Sequence, residues 1–238
     1  MKFALVDNNR VEAFKGAKGI CPCCGSELTA KCCTVRINHW SHKKHSNCDP
    51  WWENETEWHR SWKNKYPDDW QEIAFQDEQT GERHIADVRT EHDLVIELQH
   101  SPIERQQRIS REEFYENMVW LVDGTQLKRD YPRFLKGQEN LHKTNRQGYF
   151  FVDFPDEVFP SAWIESSVPV IFDFLGLESI QDNDLRNYLY CLLPGRQNRK
   201  AILIIITREL FINGTINGEL FKKQLEHQKQ PAKKNSKA

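Results

Sequence analysis

The stretch HIADVRTEHDLVIELQHS, residues 84–101, decides the architecture. Two runs rich in aliphatic residues flank the polar TEH, the pattern of two short strands joined by a tight turn. If the loop is centred on His92, Val88 pairs with Ile96 and Thr90 with Leu94, so Asp87 falls opposite Glu97. Alternation sends Ala86, Val88, Leu94, Ile96 and Leu98 to a core face, and Ile85, Asp87, Arg89, Glu97 and Gln99 to the other. Two opposed carboxylates repel each other, so this face calls for a cation. Mg²⁺ or Mn²⁺ would serve: such ions bind one or two carboxylates, keep several waters and accept phosphate oxygens, which equips a site for phosphodiester hydrolysis. The plainer reading is a half-exposed strand pair whose acids are solvated or bridged by Arg83 or Arg89.

Working outward, EIAFQ (72–76) adds a third strand, and Glu72 at its start is a further candidate carboxylate. Upstream, WWENETEWHRSWKNKY (51–66) repeats Trp51, Trp58, Trp62 and Tyr66 at helical intervals before Pro67. Glu55, His59 and Lys63 share one face of that helix. His59 is a candidate proton relay or phosphate contact, and Lys63 a candidate partner for phosphate or carboxylate; a solvated charge ladder is the bland alternative. Downstream, Ser101, Pro102 and Glu104 predict a helix start, with the helix running to about Met118 and the strand VWLVDG at 119–124. The order is helix, three-stranded meander, helix, strand. Arg105, Arg108 and Arg111 recur along the second helix and are candidates for tracking a DNA backbone, or else they pair with neighbouring glutamates.

The N-terminal part has its own chemistry. KFALV (2–6) and VEAF (11–14) read as a hairpin around Asp7-Asn8-Asn9. Six of the seven cysteines lie between Cys21 and Cys48, a clustering that favours a metal site over disulfides. CPCCG supplies Cys21 and Cys24, and HWSH supplies His39 and His42, a candidate tetrahedral shell for structural Zn²⁺. Cys23, Cys32, Cys33, His45 and Cys48 are competing ligands. The tryptophans at 40, 51, 52, 58 and 62 suit either base stacking or, the better reading, aromatic packing.

The chain has 238 residues, 38% hydrophobic and 29% charged, with eight tryptophans. That composition excludes wholesale disorder. No apolar run is long enough for a membrane span and no secretory signal pattern opens the chain, so a cytoplasmic protein without a membrane partner is expected. The net charge of −2 gives no global nucleic-acid signature. Past the core, YFFVDF (149–154), VPVIFDF (168–174) and AILIII (201–206) read as strands and 183–192 as a helix. The division expected is 1–50, hairpin and zinc module; 51–125, core; 126–221, an α/β extension; 222–238, a basic tail that is disordered and either solubilising or attracted to DNA.

The hairpin with Asp87, Glu97 and Gln99, between its two helices, resembles the PD-(D/E)xK nuclease core of restriction enzymes. More narrowly, CPCCG, HWSH, ETEWHRSWK, HIADV, IELQHS, the Arg111/Tyr115 pair and VWLVDG, in that order, resemble the competence protein CoiA-like family of predicted nucleases. The resemblance covers residues 1–125 and implies an α/β, restriction-endonuclease-like fold. It implies that Asp87 and Glu97 hold a catalytic Mg²⁺ or Mn²⁺, and that Gln99 stands where the superfamily usually has lysine. A glutamine there orients the attacking water without adding charge, and His59 or Lys63 assists. The expected activity is a metal-dependent deoxyribonuclease processing incoming or foreign DNA. The alternative is a non-catalytic, zinc-containing DNA-binding protein. DNA is the expected partner, with a second copy of the chain or recombination or defence proteins beyond it.

Overall fold

The computed structural model describes residues 1–34, 36–43, 48–51, 53–77, 80–197 and 199–221. The tail read at 222–238, the spare ligand His45 and Trp52 lie outside the described residues.

The N-terminal hairpin closes through Asp7 and Asn8, whose φ values are 50° and 63°. Asp and Asn tolerate this left-handed conformation, and two such residues in succession match the twist of a hairpin. Strands β1 (Phe3–Val6), β2 (Asn9–Glu12), β3 (Lys18–Ile20), β4 (Glu27–Lys31) and β5 (His39–His42) form a sheet in the order β2-β1-β3-β4-β5. Leu28 and Trp40 are fully buried in it. Gly19 is fixed by packing, since a Cβ there would come within 2.9 Å of Ala4 Cβ.

Helix α1 (Glu57–Lys63) starts later than the aromatic spacing suggests. Thr56 caps it by accepting the His59 N–H, while the Thr56 N–H donates back to His59 Nδ1, a reciprocal cap with histidine in the place usual for Glu or Gln. Trp51 is therefore outside the helix, stacked on His84 with ring centroids 3.2 Å apart. Strands β6 (Gln71–Gln76), β7 (Arg83–Arg89) and β8 (Val95–Gln99) form the antiparallel meander. Helix α2 (Arg105–Tyr115) crosses over, and β9 (Met118–Asp123) returns parallel to β8. The order read from sequence is present. Its second helix begins after Glu104 and not at Ser101, whose N–H is drawn to Glu53 Oε2 at 3.3 Å, and Met118 already belongs to the strand.

The chain continues through α3 (Asp130–Lys136), β10 (Leu141–Lys143), β11 (Tyr149–Val152), α4 (Pro155–Val158), α5 (Ser161–Ile164), β12 (Val170–Asp173), β13 (Tyr188–Leu192), β14 (Ala201–Thr207) and α6 (Arg208–Ile216). Its strands extend the same sheet, ordered β10-β11-β14-β13-β12-β9-β8-β7-β6, with β12 parallel to β9. The helix expected at 183–192 is instead a short 3₁₀ turn at Leu185–Asn187 followed by β13. YLYCL lies between β12 and β14 and is covered on both faces, which suits a strand.

Both faces of the sheet are covered. Trp58 and Trp62 of α1 and Phe211 of α6 pack with Val88, Ile96, Leu98 and Leu121. Phe134, Phe159 and Trp163 from the α3–α5 segment pack with Trp120, Val122, Phe172 and Tyr190. No helix among the described residues is long and apolar enough to cross a membrane.

Candidate functional site

Cys21, Cys24, His42 and Cys48 place their ligand atoms within 4.8 Å of one another. Cys21 Sγ lies 3.6 Å from Cys48 Sγ, and Cys24 Sγ 3.4 Å from His42 Nε2. The turn is built by the Cys21 N–H donating to Ser26 O at 2.8 Å and the Gly25 N–H to Cys21 O at 3.0 Å, with Gly25 left-handed at φ 71°. Contact with Cys48 pushes the Cys21 thiol down to about 5, toward the thiolate a metal needs. Three sulfurs and one imidazole could bind zinc, with all four positions filled by protein. His39 is the correction. Positions 39 and 42 on β5 are an odd number apart, so their side chains leave opposite faces. His39 Nδ1 donates to Ile37 O at 3.0 Å instead, and Cys48 takes its place. Cys23, Cys32 and Cys33 are not in the group.

On the main sheet the reading of residues 84–101 carries through: Val88 pairs with Ile96, and the Thr90 N–H donates to Leu94 O at 2.9 Å. This register sets Asp87 against Glu97. There the regular ladder stops and the carboxylates replace it. Glu97 Oε1 accepts the Asp87 N–H at 3.2 Å, and Asp87 Oδ2 accepts the Leu98 N–H at 3.0 Å. On the other side of β7, the pairs Gln71↔Val88 and Ile73↔Ala86 set Glu72 against Asp87. Three carboxylates thus stand abreast across β6, β7 and β8. Glu72 has a φ of 48°, a strained backbone for a non-glycine residue of the kind that clusters at functional sites.

The helices supply the cations. Lys63 Nζ lies 2.9 Å from Glu72, 3.2 Å from Asp87 and 3.4 Å from Glu55. Arg111 NH1 donates to Glu97 Oε2 at 3.2 Å, and NH2 to Trp51 O at 2.7 Å. A cavity of about 60 Å³ lies among these groups, closed on one side by Met1, Asp49 and Trp51. The polar face expected at the surface is therefore roofed. Asp87, with its side chain 22% exposed, and Glu53, at 19%, lead from it to solvent. Burial and the neighbouring Asp87 push Glu97 up to about 8, and burial raises Glu53. Burial also opposes ionisation of Glu72, but Lys63 and the Lys2 and Phe3 N–H groups outweigh it and hold that carboxyl at about 2. Tyr115 Oη and Arg111 Nε, which border the cavity, and Glu55 Oε2, 3.8 Å from the Met1 ammonium, have no hydrogen-bond partner among the described residues.

Glu72 gives the first testable outcome. Its depressed value stabilises the fold above the unfolded value of 4.5, and this stabilisation is lost as pH falls through about 2. Denaturant titrations across that window should show roughly 3 kcal/mol of acid-dependent loss, and Glu72→Gln should flatten it. An unchanged slope in the variant would remove the assignment.

The other expected site residues divide. His59 is buried, accepts the Thr56 N–H at Nδ1 and donates from Nε2 to Leu98 O at 3.2 Å. Burial lowers its pKa, so it is a neutral clamp between α1 and β8 with both nitrogens engaged. Gln99 does not face the cavity: its Nε2 donates to Glu53 Oε1 and, at 2.9 Å, to Ser101 O. Arg108 and Arg111 are 1% and 3% exposed, so they cannot track a DNA backbone. Arg108 binds Glu112 at 2.6 Å and Glu165 O at 3.1 Å; Arg105 is exposed. Trp58 and Trp62 both donate to Asp173 Oδ2, at 3.0 and 2.9 Å, so they pack and do not stack on bases. Asp49 and Glu53, which no sequence motif singles out, line the cavity together with Trp51.

The family model described as competence protein CoiA, N-terminal domain, matches residues 5–50. The likeness to that family is carried by these residues. The CoiA-like segment contains all four members of the Cys/His group. Its end ties that group to the carboxylate row: next to Cys48, Asp49 Oδ2 accepts the Ile85 N–H at 3.0 Å and Oδ1 lies 2.9 Å from His84 Nδ1. No curated protein and no solved structure matches the chain.

Proposed function

We propose that the protein is a divalent-metal-dependent deoxyribonuclease of the PD-(D/E)xK kind, carrying a structural zinc and processing incoming or foreign DNA in the cytoplasm. The observation that carries this reading is the row Glu72, Asp87 and Glu97 set abreast around a buried lysine and arginine, with Glu97 pushed up to about 8 by burial and the neighbouring Asp87 against the pull of Arg111. Glu72 and Glu97, moved in opposite directions, are perturbed carboxylates of the kind that cluster at functional sites. Asp87 and Glu97 would hold Mg²⁺ or Mn²⁺; each oxygen has one protein donor and retains accepting capacity. When bound there, the ion supplies Lewis acidity toward water and neutralises charge on the phosphate. Lys63 fixes Asp87 and adds the positive charge that Gln99 lacks. Arg111 orients Glu97, and Glu53 stands at the solvent side. The CoiA match supports the link to competence, and the zinc group holds the roof.

The competing reading, a DNA-binding protein without catalysis, draws on those same four oxygens, which all have protein donors without any ion. Incubation with linear, single-stranded and branched DNA plus Mg²⁺ or Mn²⁺ separates the two. Cleavage is expected, with Asp87→Asn and Glu97→Gln each losing about a hundredfold or more, beyond what outer-sphere changes at metal sites cost. Variants that cut as well as the parent would refute the catalytic reading.

A further inference from the structure

A second cleft, of about 250 Å³, opens outside the carboxyl ends of β8 and β9, on the far side of His100 from the carboxylate row. Ligands of parallel sheets favour this location. His100 Nδ1 lies 2.8 Å from Asp123 Oδ2, and Asp123 Oδ1 is itself held by the Thr125 N–H at 2.9 Å and Oγ1 at 2.6 Å. A buried carboxylate locked in this way orients the imidazole and accepts the Nδ1–H, so the ring donates from Nε2 to a phosphate oxygen in its doubly protonated form. Nε2 has no hydrogen-bond partner among the described residues, and the His100 side chain is 27% exposed. Arg129, exposed, and Arg133 line the same cleft, whose apolar wall includes Ile103, Val122 and Trp163.

We propose that this cleft is a nucleotide subsite, taking one phosphate at His100 and Arg129 and one base against the apolar wall. The volume supports a single nucleotide: clefts for larger, drug-sized ligands run from about 300 Å³ upward. The charge distribution agrees. Three carboxylates line it: Asp123 is committed to His100 and Thr125, Asp130 lies 3.3 Å from Arg133, and Asp156 is exposed to solvent, which leaves Arg129 and the imidazole edge for an anion. The two sites adjoin. The rings of His59, which borders the first cavity, and His100 are 5.9 Å apart, and His100 lies two positions beyond Leu98 of β8, about 7 Å along an extended chain. Resting on the nuclease reading, the subsite would seat the nucleotide next to the scissile phosphate, and its size favours a single strand or a frayed end over paired DNA.

The test is binding, independent of cleavage. Thymidine 5′-monophosphate and a 5′-phosphorylated single-stranded oligothymidylate are titrated into the full chain without divalent metal, with His100 ring signals followed by NMR. Both are expected to shift His100, and His100→Ala and Arg129→Ala should each weaken binding about tenfold, the loss of one charge-assisted contact. The oligonucleotide binding more tightly identifies a strand as the occupant, whereas equal affinity points to free nucleotide. Neither ligand moving His100, or both variants binding like the parent, would overturn the subsite. A protein that binds in this way but never cuts DNA would keep the subsite and lose the nuclease reading; one that cuts without binding here would do the reverse. The Arg129 side chain has no hydrogen bond or ion pair among the described residues, so its variant should fold like the parent.

Discussion

Cys48→Ser is expected to lose zinc and unfold the N-terminal module, whereas His39→Ala keeps both. A structural zinc contributes roughly 10–16 kcal/mol in small zinc-dependent folds, which matches or exceeds the about 5–15 kcal/mol that holds a typical domain together. The module's own core is small, centred on Leu28 and Trp40, so it has little to set against that loss. The damage should also spread. Asp49 follows Cys48 directly and caps the backbone of Ile85 while touching His84. Lys2 and Phe3 donate to Glu72. Losing the module therefore uncovers the carboxylate row as well as residues 1–50. Metal analysis of the purified variants, with amide exchange read at β7, checks this. One zinc per chain and native protection in Cys48→Ser would sink the ligand assignment, and zinc loss in His39→Ala would restore histidine 39 to the shell.

The hairpin was legible because its loop fixes its register: with His92 at the centre, Asp87 can only face Glu97. Glu72 was harder, since the longer connection from Asp77 to Glu82 leaves the register of β6 open. The arginine period of α2 suits either a phosphate-tracking stripe or pairing with neighbouring glutamates. Arginines are seldom buried unless paired, and the partners Glu97 and Glu112 are what decided for the inside. Parity alone excludes pairing His39 with His42 in one shell, because HWSH as a strand sends 39 and 42 to opposite faces. Cys48 carried no such signal, as nothing in a spacing that long brings it back to Cys21. Segment 183–192 was misread because its alternation is slight; two flanking strands, and no local propensity, make YLYCL a strand.

Lys63→Met is expected to abolish cleavage and to destabilise the fold, while Gln99→Lys leaves the rate within about tenfold of the parent, a change of roughly 1.4 kcal/mol in the barrier. By the pattern of the PD-(D/E)xK nucleases that the hairpin resembles, the opposite would hold, since the strand position is where they usually carry lysine. The contacts argue otherwise. Lys63 is 4% exposed and lies among Glu55, Glu72 and Asp87, so removing it strands buried carboxylates, at a cost of about 3–5 kcal/mol. For a domain of this size that is a fall in Tm of roughly 10 °C. Gln99 instead holds Glu53 and Ser101 O, and an ammonium placed there would pair with Glu53 and not with Asp87. Lys63→Arg keeps the charge and should recover part of the stability, which separates a folding defect from a catalytic one when cleavage is assayed well below the variants' Tm. If Gln99→Lys raises cleavage far beyond tenfold, or Lys63→Met cuts normally, the cation of this site comes from β8 after all. The expectation is that it comes from α1, because the short capped helix points Lys63 into the gap where β7 and β8 cease to pair.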